Sequence, residues 1–152
     1  VGVGIMGKSM VRNLMKAGFE VSIYTRTRSK VEDVIGEGAI WCDSVAECAK
    51  GRDAVISIVG YPKDVIEVYF GPAGILANAD PGTYVIDMTT TSPKLAVQIF
   101  DEAEKLGLHA IDAPVTGGDS GAKAGTLTIL AGGKIRKKEA EKKDKAAEVK
   151  KA

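Results

Sequence analysis

The sequence predicts a single α/β domain with a mostly parallel sheet and helices on both faces. Its 152 residues are enough for one domain of ordinary size and too few for two comfortable ones. Hydrophobic residues make up 45% and charged residues 27%, which is the balance of a globular chain and excludes disordered, collagen-like and disulfide-rich proteins. Short apolar runs alternate with helix-like segments, and that alternation is typical of a parallel sheet covered by helices.

Five segments have the composition of β-strands. They are rich in apolar, β-branched or aromatic residues, which either alternate with polar residues or run uninterrupted, as in a strand buried on both faces. The predicted strands cover residues 19–24, 54–59, 84–87, 109–112 and 126–130.

Five helices are predicted from apolar residues at helical spacing and from capping residues. Gly18 stands where a left-handed cap ends the first helix, and Ser92 with Pro93 forms the start of the last. Ser29 and Ser44 are the expected caps of two shorter helices. The predicted helices cover residues 8–17, 29–35, 45–50, 64–70 and 92–106.

The sequence offers few residues for metal binding or for triad chemistry. His109 is the only histidine, and Cys42 and Cys48 are the only cysteines. We therefore expect no metal site and two reduced thiols. Because no apolar run reaches the roughly 18 residues of a membrane span and no secretory leader opens the chain, we expect a cytoplasmic protein with no membrane partner.

The charges divide the chain into a body and a tail. Residues 1–133 carry 12 Lys and Arg against 16 Asp and Glu, whereas residues 134–152 carry 9 against 4. We therefore predict a folded domain over residues 1–133 and a basic Lys/Glu/Ala tail over residues 134–152. An alternative function for such a tail is that of a chromatin or RNA adaptor, but it has no aromatic residue to stack on bases, so a nucleic-acid partner is not expected.

A glycine-rich turn stands at the start of the sequence. Gly2-Val3-Gly4-Ile5-Met6-Gly7 fits G-x-G-x-x-G, the turn in which the pyrophosphate of a dinucleotide meets free N–H groups at a helix N-terminus. A helix and then a strand follow it, which is the order of a Rossmann-type fold. Only Val1 precedes the turn, where a strand of about five residues is usual, so we expect the first strand to be largely missing.

The end of the strand that follows this first helix distinguishes NADP from NAD. An Asp or Glu there would bind the ribose 2′-hydroxyl of NAD. This sequence instead contains Arg26 and Arg28 in a turn without an acid, and a guanidinium pairs with a 2′-phosphate through two hydrogen bonds. The sequence therefore predicts NADP rather than NAD, with a solvated basic turn as the alternative.

Three motifs resemble those of one enzyme family. They are Gly2-x-Gly4-x-Met6-Gly7-x-x-Met10-x-x-Asn13-Leu14, then Asp-Met-Thr-Thr-Thr-Ser-Pro at 87–93, and Asp-Ala-Pro-Val-Thr-Gly-Gly-x-x-Gly-Ala-x-x-Gly-Thr-Leu at 112–127. Together they resemble the β-hydroxyacid dehydrogenase family, which includes 3-hydroxyisobutyrate dehydrogenase, tartronate semialdehyde reductase and glyoxylate/succinic semialdehyde reductase. The third motif is long and specific, and it corresponds to the substrate motif of the family.

The resemblance implies roles for particular residues. The residues implied to bind the cofactor are Gly2, Gly4, Ile5, Met6, Gly7, Arg26, Thr27, Val59, Gly60, Pro62 and Thr90. Thr116, Gly117 and Gly118 are implied to bind the carboxylate of the substrate. The residues themselves agree, because N–H groups beside glycines form an anion-binding nest with a hydroxyl, although a plain β-turn is the alternative. The family usually has serine at the position of Thr116, which leaves the choice of substrate open.

The resemblance also implies a function for the parent protein, which we expect to be a homo-oligomer. That function is hydride transfer between NADP(H) and a small hydroxy acid, semialdehyde or keto acid. The catalytic lysine of the family lies in a C-terminal, all-helical domain that is absent from this chain, so we expect no catalytic residue and no turnover here. The alternatives are an NAD-dependent 3-hydroxyisobutyrate dehydrogenase and a non-catalytic NADP-binding or dimerisation module.

Overall fold

The computed structural model describes residues 1–134. Its largest sheet has the order β3-β4-β5-β8, in which β3 (Ala54–Ser57), β4 (Tyr84–Asp87) and β5 (His109–Asp112) are parallel. The edge strand β8 (Gly132–Gly133) is antiparallel to β5. The register places Ser57 beside Asp87 and Asp87 beside Asp112, so polar residues end all three parallel strands at the same edge.

A smaller parallel pair stands beside this sheet, formed by β1 (Ser22–Ile23) and β2 (Ile40–Trp41). Residues 1 and 2 lie between this strand pair and the four-stranded sheet. The Val1 amino group donates to the Ile56 carbonyl at 2.7 Å, and the Gly2 N–H donates to the Tyr24 carbonyl at 3.0 Å. A cavity of about 450 Å³ lies between β1 and β3 at this position.

Helices alternate with these strands, as the sequence predicts. The helices among the described residues are α1 (Ile5–Lys16), α2 (Glu32–Gly36), α3 (Val45–Ala49), α4 (Pro62–Phe70), α5 (Ile75–Asn78), α6 (Pro93–Lys105) and α7 (Gly118–Ala124). Two predicted N-caps are confirmed, because the Ser44 hydroxyl accepts from the Glu47 N–H and the Ser92 hydroxyl accepts from the Leu95 N–H. A final antiparallel pair is formed by β6 (Val115–Thr116) and β7 (Thr128–Ile129).

Two apolar cores hold these layers together. The larger one packs α4, α5 and α6 against β3 and β4, with Tyr69, Val85 and Ile99 among its buried residues. The smaller one packs α1 and α2 against β1, around Ile23 and Val34. The predicted class, a mixed α/β fold of the Rossmann type with a parallel sheet and helices, is confirmed.

Several predicted elements are shorter or divided in the structure. The strand expected at 19–24 pairs only at β1, because its one neighbour, β2, is itself two residues long. The strands expected at 54–59 and 126–130 shorten to β3 and β7. The helix expected at 29–35 divides into a 3₁₀ turn at Arg28–Lys30 and α2, so Ser29 lies inside the turn and caps nothing.

The sequence did not predict β2, β6, β8, α5 or α7. The three strands have two residues each and α5 has four, which are too few to show a hydrophobic period, and α7 begins in the glycine-rich segment that follows β6. The predicted tail over 134–152 lies outside the described residues except for Lys134, whose ammonium group contacts a Glu104 carboxylate oxygen at 2.8 Å. Within residues 1–134, no helix is both long enough and apolar enough to cross a membrane.

Candidate functional site

A pocket of about 670 Å³ lies where β1 and β3 end, next to the N-terminus of α1 and along α4. Its volume falls within the roughly 300–1,000 Å³ that is usual for ligand sites, and the carboxyl edge of a parallel sheet is where such sites form. Most of the predicted cofactor residues line it, namely Gly2, Gly4, Ile5, Met6, Gly7, Arg26, Val59 and Gly60. Thr27, Pro62 and Thr90 are not among the lining residues.

The glycine turn at residues 2–7 brings backbone segments close together at Gly2 and Gly7 and leaves open space at Gly4. Gly2 has φ +84°, and a Cβ atom there would lie 2.2 Å from the Ile58 carbonyl oxygen. A Cβ atom at Gly7 would lie 2.6 Å from the Gly2 carbonyl oxygen, whereas a Cβ atom at Gly4 would meet no atom of residues 1–134 within 4 Å. Gly4 lines the pocket, so packing among the described residues does not require glycine there.

The N-terminus of α1 provides the electrostatics for an anion. Gly4 is its N-cap, no side chain caps its first N–H groups, and its first turn contains no acidic residue. The helix has 12 residues, and its positive end and its unpaired N–H groups face the pocket. The acidic residues that line the pocket, Asp64 and Glu67, lie on α4 rather than in the first turn of α1. These features fit the pyrophosphate of a dinucleotide.

Arg26 crosses the pocket from the end of β1 to α4. Its Nη1 atom lies 3.3 Å from Asp64 Oδ1, and the Arg26 side chain is 72% exposed whereas that of Asp64 is 7% exposed. Asp64 Oδ2 also accepts from the Tyr61 N–H at 3.1 Å, so the carboxylate is fixed at the start of α4. Sequence analysis did not identify Asp64, because an ion pair between distant segments leaves no local pattern.

Arg28 has a different environment. Its guanidinium carbon lies 5.5 Å from the centroid of the Trp41 ring, and its Nε lies 3.3 Å from a Glu32 carboxylate oxygen. The Trp41 ring is 6.1 Å from the Tyr24 ring, measured between centroids. The sequence did not identify Trp41 as a neighbour of Arg28, because β2 itself was not predicted. Trp41 is the only tryptophan of the sequence, and that could have drawn attention to it. Thr27 is the exposed N-cap of the 3₁₀ turn between the two arginines.

Below the pocket a buried chain of hydrogen bonds joins β3, α4 and the end of β4. The Tyr69 and Ser57 hydroxyls lie 2.8 Å apart, and the Ser57 hydroxyl donates to Asp87 Oδ1 at 2.9 Å. The Thr89 N–H donates to the same Asp87 oxygen at 3.1 Å. The Thr89 hydroxyl oxygen accepts from the Val59 N–H at 3.0 Å, so the chain of bonds reaches the pocket lining.

The carboxyl groups at the ends of β4 and β5 are electrostatically coupled. Burial raises the pKa of Asp87 above its ordinary value of 3.8, and burial together with the Asp87 carboxyl raises the pKa of Asp112. Both residues also line a third cavity, of about 320 Å³, between α6 and β5. Burial, together with the nearby Asp87 carboxyl, also raises the pKa of the Tyr69 hydroxyl, which is therefore neutral at physiological pH.

The predicted substrate residues lie on the connection from β6 to α7, outside the dinucleotide pocket. Thr116 ends β6, and Gly117 is the N-cap of α7 with φ +127°. A Cβ atom at Gly117 would lie 3.2 Å from a Leu127 methyl carbon, so both the backbone and the packing favour glycine. Thr116, Gly117 and Gly118 are all exposed. Helix α7 is attached to α1 by a hydrogen bond of 2.8 Å from the Asn13 amide to the Ala122 carbonyl.

Metal and thiol chemistry find little support in the described part of the chain. Residues 1–134 contain no group of three or more His, Cys, Asp or Glu side chains placed to hold a metal ion. Cys42 and Cys48 are buried and not joined by a disulfide, and burial raises the pKa of Cys48 to about 11. The Cys48 thiol is therefore protonated at neutral pH and a poor nucleophile.

Comparisons with known proteins agree with this geometry. Residues 1–144 match the family described as the NAD binding domain of 6-phosphogluconate dehydrogenase. The chain is 51% identical over 133 residues to the uncharacterized oxidoreductase YkwC of Bacillus subtilis, covering 88% of this chain and 46% of that protein. The chain spans about half the length of the curated relatives that it matches.

Two solved structures share the fold and much of the sequence pattern. Psf3 in complex with NADP⁺ and 2-OPP has a TM-score of 0.84 and 28% identity, covering 88% of this chain and 47% of that one. The Mycobacterium tuberculosis 3-hydroxyisobutyrate dehydrogenase with L-serine has a TM-score of 0.82 and 33% identity, covering 88% and 45%. The resemblance predicted from the three motifs is confirmed. The chain therefore belongs to the family of NAD-binding domains of 6-phosphogluconate dehydrogenase, among relatives that are β-hydroxyacid dehydrogenases.

Proposed function

We propose that this chain is the NADP-binding domain of a dehydrogenase that acts on a small hydroxy acid, semialdehyde or keto acid. The observation that carries the proposal is the pocket itself, in which an uncapped helix N-terminus and the Arg26 guanidinium both face one cavity. Two anionic groups of one NADP molecule, the pyrophosphate and the 2′-phosphate, match two separate positive sites of that kind.

The residues of the chain bind and orient the cofactor in this proposal. The N–H groups of Ile5, Met6 and Gly7 hold the pyrophosphate, and Arg26 pairs with the 2′-phosphate. Val59 and Gly60 form the floor of the pocket, and Thr90 lies toward the nicotinamide beyond it. Bound NADPH supplies the hydride. No lysine lines the described pocket, so the proposal takes the proton for the substrate oxygen from the lysine that the family resemblance implies outside this chain.

The preference for NADP over NAD depends on how Arg26 divides its hydrogen bonds. Its Nη1 atom contacts Asp64, and a guanidinium has five N–H donors, so several remain for a phosphate. No acid stands at the end of β1 to bind a ribose 2′-hydroxyl. NAD as cofactor is the second candidate, and it is favoured by the same Asp64 contact, because a carboxylate beside the site repels a 2′-phosphate.

The connection from β6 to α7 is the proposed substrate site. Thr116 supplies a hydroxyl and Gly117 and Gly118 supply N–H groups, all of them exposed, which suits a carboxylate that arrives from solvent. The parent protein, in the same proposal, is a cytoplasmic homo-oligomer. The reduced, buried thiols of Cys42 and Cys48 suit that compartment, and the exposed Val97 on α6 suits a subunit or domain contact.

A titration of this chain with NADPH and with NADH tests the cofactor proposal. Trp41 is the only tryptophan and lies beside Arg28, so energy transfer from its indole to a bound reduced nicotinamide reports binding of either cofactor. Tighter binding of NADPH is expected, because only NADPH offers Arg26 a charged partner. Equal or tighter binding of NADH would assign the site to NAD instead.

A further inference from the structure

The polar residues under the pocket form a connected path rather than a scatter of buried groups. Ser57 is fully buried, and Asp87 and Thr89 are each 3% exposed. Because the Ser57 hydroxyl proton points to Asp87, the Tyr69 hydroxyl is the donor to the Ser57 oxygen. The path therefore runs in one direction, from the Tyr69 hydroxyl through Ser57 to Asp87 Oδ1.

Asp87 is where this path meets the backbone that leaves β4. Its Oδ1 atom accepts two hydrogen bonds, one from Ser57 and one from the Thr89 N–H. Its Oδ2 atom is buried and has no partner among residues 1–134. A carboxyl group in such surroundings is costly to bury, and an apolar residue would fill the same space without that cost. The carboxyl group therefore has a task that an apolar residue at this position would not perform.

Thr89 connects Asp87 to the lining of the pocket through two hydrogen bonds. With its N–H held by Asp87, its hydroxyl oxygen accepts from the Val59 N–H at 3.0 Å. Val59 and Gly60 line the dinucleotide pocket, whereas neither Asp87 nor Thr89 does. The chain leaves β3 and β4 at the same edge of the sheet, and this bond ties the Val59 backbone to the residues after β4.

We propose that Asp87 is a positioning residue for the cofactor, acting through Thr89 on the Val59 N–H. By fixing the Thr89 backbone, it sets the position of the acceptor that holds the turn at Val59 and Gly60 against the pocket. The role needs an acceptor oxygen at Oδ1 and needs no negative charge, which agrees with the raised pKa of this carboxyl. The inference rests on the proposed function in one respect, since it takes that pocket as the cofactor site.

A double-mutant cycle on this chain tests whether Asp87 and Thr89 affect NADPH binding through the same path. Asp87→Ala removes the acceptor from Thr89, and Thr89→Val keeps the side-chain shape but removes the acceptor from Val59. Each change is expected to weaken NADPH binding about 10-fold, and the double variant is expected to lose about 10-fold rather than about 100-fold. Independent roles would give the full product of the two losses, which would overturn the proposal.

Conservative variants separate positioning from packing. Asp87→Asn keeps an oxygen acceptor and Thr89→Ser keeps the hydroxyl, so both are expected to bind NADPH within about two-fold of the parent chain. The exposed Asp101→Asn on α6 is the matched control for loss of an acidic charge. A 10-fold loss of NADPH affinity in Asp87→Asn would show that the negative charge matters and would contradict the proposal. If Asp87→Ala does not fold, Asp87→Asn and Thr89→Val still test the proposal.

Hydrogen exchange of the Val59 amide supplies a readout that needs no ligand. In the ligand-free chain this amide is expected to exchange faster in Asp87→Ala and in Thr89→Val, and at the parent rate in Asp87→Asn. An unchanged rate in Thr89→Val would overturn the proposal. If the parent chain bound neither NADPH nor NADH, the proposed function would fail, and the exchange rates would still decide whether Asp87 fixes Val59.

Discussion

Arg26 Nη1 lies 3.3 Å from Asp64 Oδ1, so the guanidinium expected to meet a 2′-phosphate already has a buried carboxylate as its partner. The pair holds an exposed, flexible side chain across the mouth of the pocket. In the proposed function, a 2′-phosphate shares Arg26 with Asp64, and this competition lowers the affinity that the guanidinium alone would give. We therefore propose Asp64 as a determinant of cofactor choice, which a search for an acid at the end of β1 overlooks.

Removing the charge of Asp64 should strengthen NADPH binding. Asp64→Asn keeps an oxygen for the Tyr61 N–H but no longer attracts Arg26, so we expect the dissociation constant for NADPH to fall by about 3- to 10-fold while that for NADH changes little. Calorimetric titration measures both constants. Glu67→Gln is the control, because Glu67 lines the same pocket without a contact to Arg26 among the described ion pairs. Weaker NADPH binding in Asp64→Asn would contradict this account of the pair.

Two glycines of the turn should respond differently to alanine. A Cβ atom at Gly7 meets the Gly2 carbonyl oxygen at 2.6 Å, so Gly7→Ala should destabilise the chain by about 1–3 kcal/mol. A Cβ atom at Gly4 meets no atom of residues 1–134 within 4 Å, so Gly4→Ala should keep the stability of the unsubstituted chain but lose cofactor binding. Urea unfolding and NADPH titration separate the two effects.

Gly36→Ala is the control for these substitutions, because Gly36 lies in α2 with open space around it and away from the pocket. It should leave binding unchanged and stability equal or slightly higher. If Gly4→Ala bound NADPH as well as the parent, the pyrophosphate would not lie at the N-terminus of α1.

The raised pKa of Asp87 gives the chain a defined dependence of stability on pH. The folded chain binds this proton more tightly than the unfolded chain, so the free energy of unfolding falls as the pH rises from 3.8 through the raised pKa. Asp112 titrates in the same direction, and comparison with Asp87→Asn isolates the contribution of Asp87. Relative to the parent, Asp87→Asn should gain stability as the pH rises, which urea midpoints at acid and neutral pH measure. A constant difference between the two proteins would show that the pKa of Asp87 is the same in the folded and the unfolded chain, and so is not raised by burial.

Thr116 should affect substrate binding in the parent enzyme through its hydroxyl. A hydrogen bond to a charged group is worth about 1.5–3 kcal/mol, so Thr116→Val should raise the Michaelis constant about 10-fold or more, whereas Thr116→Ser should change it little. Steady-state kinetics with a small hydroxy acid checks this, and Thr128→Val, on the strand paired with β6, is the matched control. Parent-like kinetics in Thr116→Val would mean that the hydroxyl does not bind the carboxylate.

Local sequence patterns were sufficient to predict those parts of the structure that depend on residues adjacent in the chain. The glycine turn before α1, the serine caps of α3 and α6, and the apolar runs of β3 and β4 each follow from a few adjacent positions. The strands predicted at 84–87 and 109–112 end at Asp87 and Asp112, and these two residues lie side by side at one edge of the parallel sheet.

Long-range pairs could not be predicted from those patterns. The amide of Asn13 meets the Ala122 carbonyl across 109 residues, and neither residue carries a local sign of the contact. The same holds for Arg26 and Asp64, where the sequence identified the cation but not its partner. Strand β2 was missed for a different reason, since two residues cannot display the alternation that identifies a strand.

The most direct test of the central claim is equilibrium binding of NADPH and NADH to the parent chain and to Arg26→Gln. Arg12→Gln is the control, because Arg12 pairs with Asp33 and Glu37 away from the pocket. We expect the unsubstituted chain to bind NADPH more tightly than NADH. In Arg26→Gln we expect a loss of about 10- to 100-fold in NADPH affinity, with NADH affinity nearly unchanged. Tighter binding of NADH by the unsubstituted chain, or an unchanged affinity for NADPH in Arg26→Gln, would contradict the proposed NADP site.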